Sequence, residues 1–89
     1  MGGLEGFELT PYFERRVMDD PTRRERVLPH VGKVVSDPEG KQTQEDGKVR
    51  HWRSVPELGH HIRVITTADG ALFNADEDSE YTRRQRREG

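Results

Sequence analysis

The spacing of hydrophobic positions changes once along the chain, near Lys41, separating a helical half from a sheet half. Before that point Phe13 and Val17 stand at i and i+4, so a helix buries both on one face. Thr10-Pro11 ahead of them reads as an N-cap followed by proline at the first helical position, where the missing N–H costs nothing. Asp20-Pro21 repeats the start signal. Val27, Leu28, Val31, Val34 and Val35 then form one apolar stripe at helical spacing, closed by Asp37-Pro38. Pro29 would break a helix running through it and suits one that begins beside it. Gly32 weakens that helix by about 1 kcal/mol relative to alanine.

Beyond Lys41 the period is that of strands. Glu45-Asp46-Gly47 holds an Asp-Gly turn, whose glycine permits the positive φ of a tight hairpin. Residues 48–55 and 60–67 read as strands joined by Pro56-Glu57-Leu58-Gly59, and Ala68-Asp69-Gly70 turns the chain into a further strand over 71–75. The order predicts an α+β domain: two or three short N-terminal helices packed on one face of a three- or four-stranded antiparallel β-sheet meander, followed by a charged C-terminal tail or helix. One domain over residues 1–89 is expected, with an ordered core over about 7–78 and a charged tail over 79–89.

Composition narrows the classes. Only 29% of the 89 residues are hydrophobic, 36% are charged and the net charge is −2, so the expected domain is thinly cored but not self-repelling. The absence of cysteine excludes a disulfide framework, a thiolate metal site and a cysteine nucleophile. With such a lean core a monomer or weak homodimer is expected. No apolar run has membrane-spanning length and the N-terminus lacks a signal-peptide pattern, so the expectation is a cytoplasmic chain without membrane contact.

If the four-residue loop pairs Val55 with His60, alternation puts Val49, His51, Arg53, Val55, His60, Ile62 and Val64 on one sheet face. Four aliphatics mark it as the side that packs on the helices. The other face carries Lys48, Arg50, Trp52, Ser54, His61, Arg63 and Ile65, with Trp52 directly opposite Arg63. Cations around an exposed aromatic suit single-stranded nucleic acid, because Lys and Arg neutralise phosphates while an indole stacks on a base. The same Trp–Arg pair also serves a purely structural role, shielding the sheet, with Phe73 and Ile65 joining Trp52 in a second small core.

Metal-free RNA cleavage needs a base, an acid and cations at the phosphorane, and His61 or His51 with Lys48, Arg50 and Arg63 supply those types. His60 and His61 are adjacent on a strand and point to opposite faces, so no metal site and no cofactor are expected. The tail runs from acidic Asp76-Glu77-Asp78 to Arg83-Arg84-Gln85-Arg86-Arg87. As a helix it gains from Glu80–Arg84 pairing, and its arginines suit a phosphate backbone or an acidic partner.

The segments Asp46-Gly47-Lys48-Val49-Arg50-His51-Trp52, Ile62-Arg63-Val64-Ile65-Thr66, Asp69-Gly70 and Phe73-Asn74-Ala75 resemble a small bacterial family. That family is distantly similar to the RelE/ParE-like toxin superfamily, including its BrnT-type members. The resemblance spans about residues 11–78 and implies helices followed by an antiparallel sheet. It also implies an RNA-binding or metal-independent endoribonuclease activity, RNA or the ribosome as partner, and an antitoxin or other protein partner. Arg50, Trp52, Arg63 and Asn74 fall on matching positions. The family pattern continues as Phe-x-Asp-Arg, where this chain has Asp76-Glu77-Asp78-Ser79, and an acidic cluster there opposes phosphate binding. On these grounds Lys48, Arg50, Trp52, Arg63 and Asn74 are the candidate nucleic-acid-binding residues, and His61 and Arg63 the candidate catalytic pair. The alternative is a non-catalytic protein-interaction module of the same fold, binding through the sheet or its edge.

Overall fold

A computed structural model describes Leu4 and residues 6–88. Helix α1 (Pro11–Phe13) runs into a π-helical turn (Glu14–Met18), and α2 (Pro21–Arg26) and α3 (Leu28–Ser36) follow. Strands β1 (Gly40–Thr43), β2 (Val49–Val55), β3 (His60–Thr66) and β4 (Leu72–Asp78) form one antiparallel sheet in chain order, and α4 (Ser79–Glu88) completes the fold. The α+β architecture is the one expected, with the N-terminal helices ahead of the sheet.

The helix starts work as their sequences require. Thr10 Oγ1 accepts from the Phe13 amide at 3.1 Å, and Asp20 Oδ1 accepts from the amides of Thr22 and Arg23 at 3.0 and 3.2 Å. Pro29 lies in the first turn of α3, where its missing N–H costs no helical hydrogen bond. Phe13, Val17, Val31 and Val34 are fully buried against Ile62, Val64, Leu72 and Ala75 of the sheet's inner face. The Asp-Gly turn has Gly47 at φ +90°, as a tight connection between β1 and β2 demands.

The β2–β3 register pairs Val55 with His60 and Trp52 with Arg63, the pairing supposed from the four-residue loop. β4 runs through the acidic residues to Asp78, three positions beyond the expected strand. Its extension has partners: Asp76 pairs with Arg63, and Glu77 faces Ile62 on the inner side. From there Glu77 accepts from Arg26 of α2 at 2.8 and 3.0 Å and is hydrogen-bonded to His60, stitching helix to sheet.

The Arg26 hydrogen bond is the main reason the Glu77 carboxyl sits at about 2, below its ordinary 4.5; burial opposes the shift and the His60 contact assists it. A value lower in the folded state than in the unfolded chain means that this contribution is complete above pH 4.5 and is lost as pH falls through about 2. With solvent screening around the half-exposed Arg26, it is worth about 1 kcal/mol. Glu77→Gln is therefore expected to lose about that much at neutral pH, and to show a shallower loss of stability on acidification. Urea unfolding at neutral and acid pH checks this. A variant with the same acid limb as the native protein would remove Glu77 from the account.

Candidate nucleic-acid interface

The sheet's outer face is built of three cross-strand rows: Gln42–Arg50–Ile65–Asn74, Gly40–Trp52–Arg63–Asp76, and Ser54–His61–Asp78. Helix α4 lies across the last two. Tyr81 stacks on Trp52 with centroids 4.6 Å apart and planes 5° from parallel, and meets His61 edge-on at 4.9 Å. Asp78 fixes the helix start, accepting from the Tyr81 amide at 3.0 Å and from Trp52 Nε1 at 3.0 Å. Burial works to raise the Asp78 pKa, but these two donors and the charges of Arg63 and Arg84 outweigh it and hold it below the ordinary value.

This cover corrects the expected surface. Trp52 is 6% exposed and is no open stacking platform. His61 is also buried, its Nδ1 hydrogen-bonded to Thr82 Oγ1 at 2.8 Å and its Nε2 3.5 Å from Glu39. Arg63 is not a bare phosphate clamp, because its Nε and Nη2 donate to the two Asp76 oxygens at 3.1 and 2.7 Å. Asp76 thus neutralises the arginine opposite it. His51 lies on the helix-facing side, bonded to the Val64 carbonyl at 3.1 Å. Burial lowers its pKa below 6.5, with the Val64 carbonyl opposing and the Lys41 charge assisting.

The remaining candidates lie at the uncovered end. Arg50 is half-buried, its Nε has no hydrogen-bond partner among the described residues, and Nη1 reaches Gln42 Oε1 only at 3.5 Å. Asn74 closes the same row, accepting from Arg23 Nη1 at 3.3 Å. Lys48, salt-bridged to Asp46 at 2.9 Å, places its ammonium 4.8 Å from the centre of the Phe73 ring. Phe73 in turn stacks on Tyr12 with centroids 4.7 Å apart, and the Arg15 and Arg16 guanidinium carbons lie 5.9 and 5.7 Å from the Tyr12 ring. Exposed cation–π contacts and surface ion pairs of this sort are each worth about 1 kcal/mol or less.

Tyr12, Arg15, Arg16, Arg23 and Phe73 are absent from the sequence-derived set. Two irregularities bring them together. The register slips between Ile65 and Thr66, so Leu72 faces Thr66 and Asn74 faces Ile65, leaving Phe73 as the extra residue of a bulge. Leu72 is fully buried inward while Phe73 leans on Tyr12 instead of joining Trp52. The second irregularity is the π-helical turn that carries Arg15 and Arg16, a rare geometry that concentrates at functional sites. The adjacent bulky pair Leu72-Phe73 was the available signal, since both cannot face inward on a regular strand.

Among the described residues no group of three or more His, Asp or Glu is placed to hold a metal, and no helix is long and apolar enough to cross a membrane. Comparison with protein-family models, with curated proteins and with solved structures found no match to this chain.

Proposed function

We propose that the protein is a toxin-like domain that binds single-stranded RNA on the uncovered end of the outer sheet face and does not cleave it. One observation carries this reading. Arg15, Arg16, Arg23 and Arg50 have no carboxylate within ion-pair distance among the described residues; Arg15 and Arg16 lie over the Tyr12 ring that stacks on Phe73, while Arg23 and Arg50 belong to the neighbouring Asn74 row. On a chain with 17 acidic residues against 15 basic ones, four unpaired arginines in one region form a local positive field that net charge conceals. Phosphates satisfy such groups, and aromatic side chains stack on bases for about 1–3 kcal/mol each.

Binding without cleavage rests on where the histidines, the candidate proton carriers, sit. General acid–base catalysis needs them within hydrogen-bond reach of the reacting phosphate. His61 is under α4, His51 faces the helices, His60 is tied to Glu77 and His30 belongs to α3. At one of the two sheet edges, that of β1, pairing with another chain is disfavoured. β1 is only four residues long, it carries exposed Lys41, and beyond its pairing Glu39 Oε1 accepts from the Ser54 amide at 3.1 Å. Short, charged and capped edges resist pairing with another chain.

Fluorescence anisotropy of a labelled hexanucleotide RNA tests the reading. Affinity is expected to fall with salt at a logarithmic slope of about −0.7 per phosphate held. Arg15→Ala/Arg16→Ala/Arg50→Ala is expected to reduce that slope by about 2 and to weaken binding at least tenfold at low salt. Intact RNA should be recovered after long incubation. A flat salt response, or native affinity in the triple variant, would remove phosphate-led binding at this site, and cleaved RNA would overturn the non-catalytic assignment.

A further inference from the structure

We propose that an unpaired RNA base stacks on the face of Phe73 now capped by Lys48, and that the displaced Lys48 ammonium turns to the neighbouring phosphate. This rests on the RNA-binding reading and names the chemistry of its site: a nucleobase platform gated by a lysine. Phe73 has two faces. Tyr12 stacks on the ring at 4.7 Å and 17° from parallel, and the Lys48 ammonium lies over it 4.8 Å from its centre.

The two covers differ in how firmly they are held. Tyr12 stands in the first turn of a helix whose Thr10 cap also donates to the Leu72 carbonyl at 2.9 Å, so the ring is anchored to the strand that carries Phe73. Phe73 itself is fixed by the bulge and by fully buried Leu72 before it. Lys48 is a flexible stem gripped only at its tip by Asp46, a residue of the exposed turn. A base offers the ring a larger stacking partner than an ammonium does, and the released charge is left beside the sugar–phosphate chain where it is useful. A preorganised ring pair behind a movable cation therefore favours exchange of the cation for a base. Trp52, the larger aromatic, has no such vacant side because Tyr81 lies on it. A purine, with more area to stack than a pyrimidine, is the favoured occupant.

The test uses a hexanucleotide RNA with one internal 2-aminopurine, whose emission falls when it stacks. Emission is expected to drop on binding to the native protein. Phe73→Leu is expected to bind about tenfold more weakly with the drop abolished, whereas Phe73→Tyr restores it. Lys48→Met is expected to keep the drop while the salt slope falls by about 0.7. Binding without any drop, or a drop that survives in Phe73→Leu, overturns the platform and leaves the RNA reading standing. Absence of binding by the native protein overturns both.

Discussion

Phe13→Ala is expected to leave much of the chain unfolded at room temperature. The ring is fully buried where α1 meets the sheet, in the cluster with Val17, Val31, Ile62 and Leu72. Emptying such a site costs about 3–5 kcal/mol, from lost transfer energy and from the cavity left behind. A domain of this size with 29% hydrophobic residues has a total stability near the low end of the usual range, about 5 kcal/mol. The two magnitudes are comparable, so one side chain decides whether the domain folds. Urea unfolding followed by circular dichroism should show a midpoint near zero denaturant, or no cooperative transition. Phe13→Leu, which keeps most of the volume, should lose only about 1.5 kcal/mol and remain folded. A loss below about 1 kcal/mol in Phe13→Ala would show that this ring does not hold the helical layer to the sheet. The consequence reaches the proposed interface, because Phe13 lies in the short helix that carries Tyr12 and leads into Arg15 and Arg16.

The parts of the fold that obey a local rule were readable from the chain. Thr10-Pro11 and Asp20-Pro21 start helices because their side chains satisfy amides that a helix leaves unpaired, whatever the surrounding fold. The Val55–His60 pairing supposed for the four-residue loop is the one formed, and it placed Trp52 opposite Arg63 on the correct face. Occupancy of that face was not readable. Helix α4 is mostly charge, and it reaches the sheet through Tyr81 and Thr82, too few apolar positions to form a periodic stripe. Its place over Trp52 depends on a non-local match: a glycine at position 40 that leaves room for the tyrosine ring.

Phe73 was lost for a different reason. A single extra residue reverses the alternation for everything on one side of it, and the adjacent Leu72-Phe73 pair signals a break without telling which of the two faces inward. The sequence therefore supplied Lys48, Arg50 and Asn74 at the open end, whereas its aromatic candidate, Trp52, lies under Tyr81 of α4. The pairing of Arg63 with Asp76 was similarly hidden, because the acidic run reads as solvated tail until β4 is extended through it.

Tyr81→Ala is expected to uncover Trp52, and the chain has only one tryptophan to report it. The substitution removes a parallel stack on the indole and an edge contact on His61, leaving α4 with Thr82 as its buried side chain. Loss of a half-buried aromatic with such a stack costs about 2 kcal/mol, and tryptophan emission should move to longer wavelength as water reaches the ring. Gly40→Val gives an independent route to the same state. A Cβ at position 40 would collide with the Tyr81 hydroxyl, so the tyrosine ring must shift on Trp52 although neither aromatic is altered. Unshifted emission in both variants would mean that α4 does not shield the outer face. RNA binding then separates the two halves of that face. With Lys48, Arg50 and Phe73 untouched, the affinity of Tyr81→Ala should stay at the native level. A marked gain on unmasking Trp52 would instead make the indole the base platform and α4 its cover, reversing the roles assigned to the two aromatic stacks.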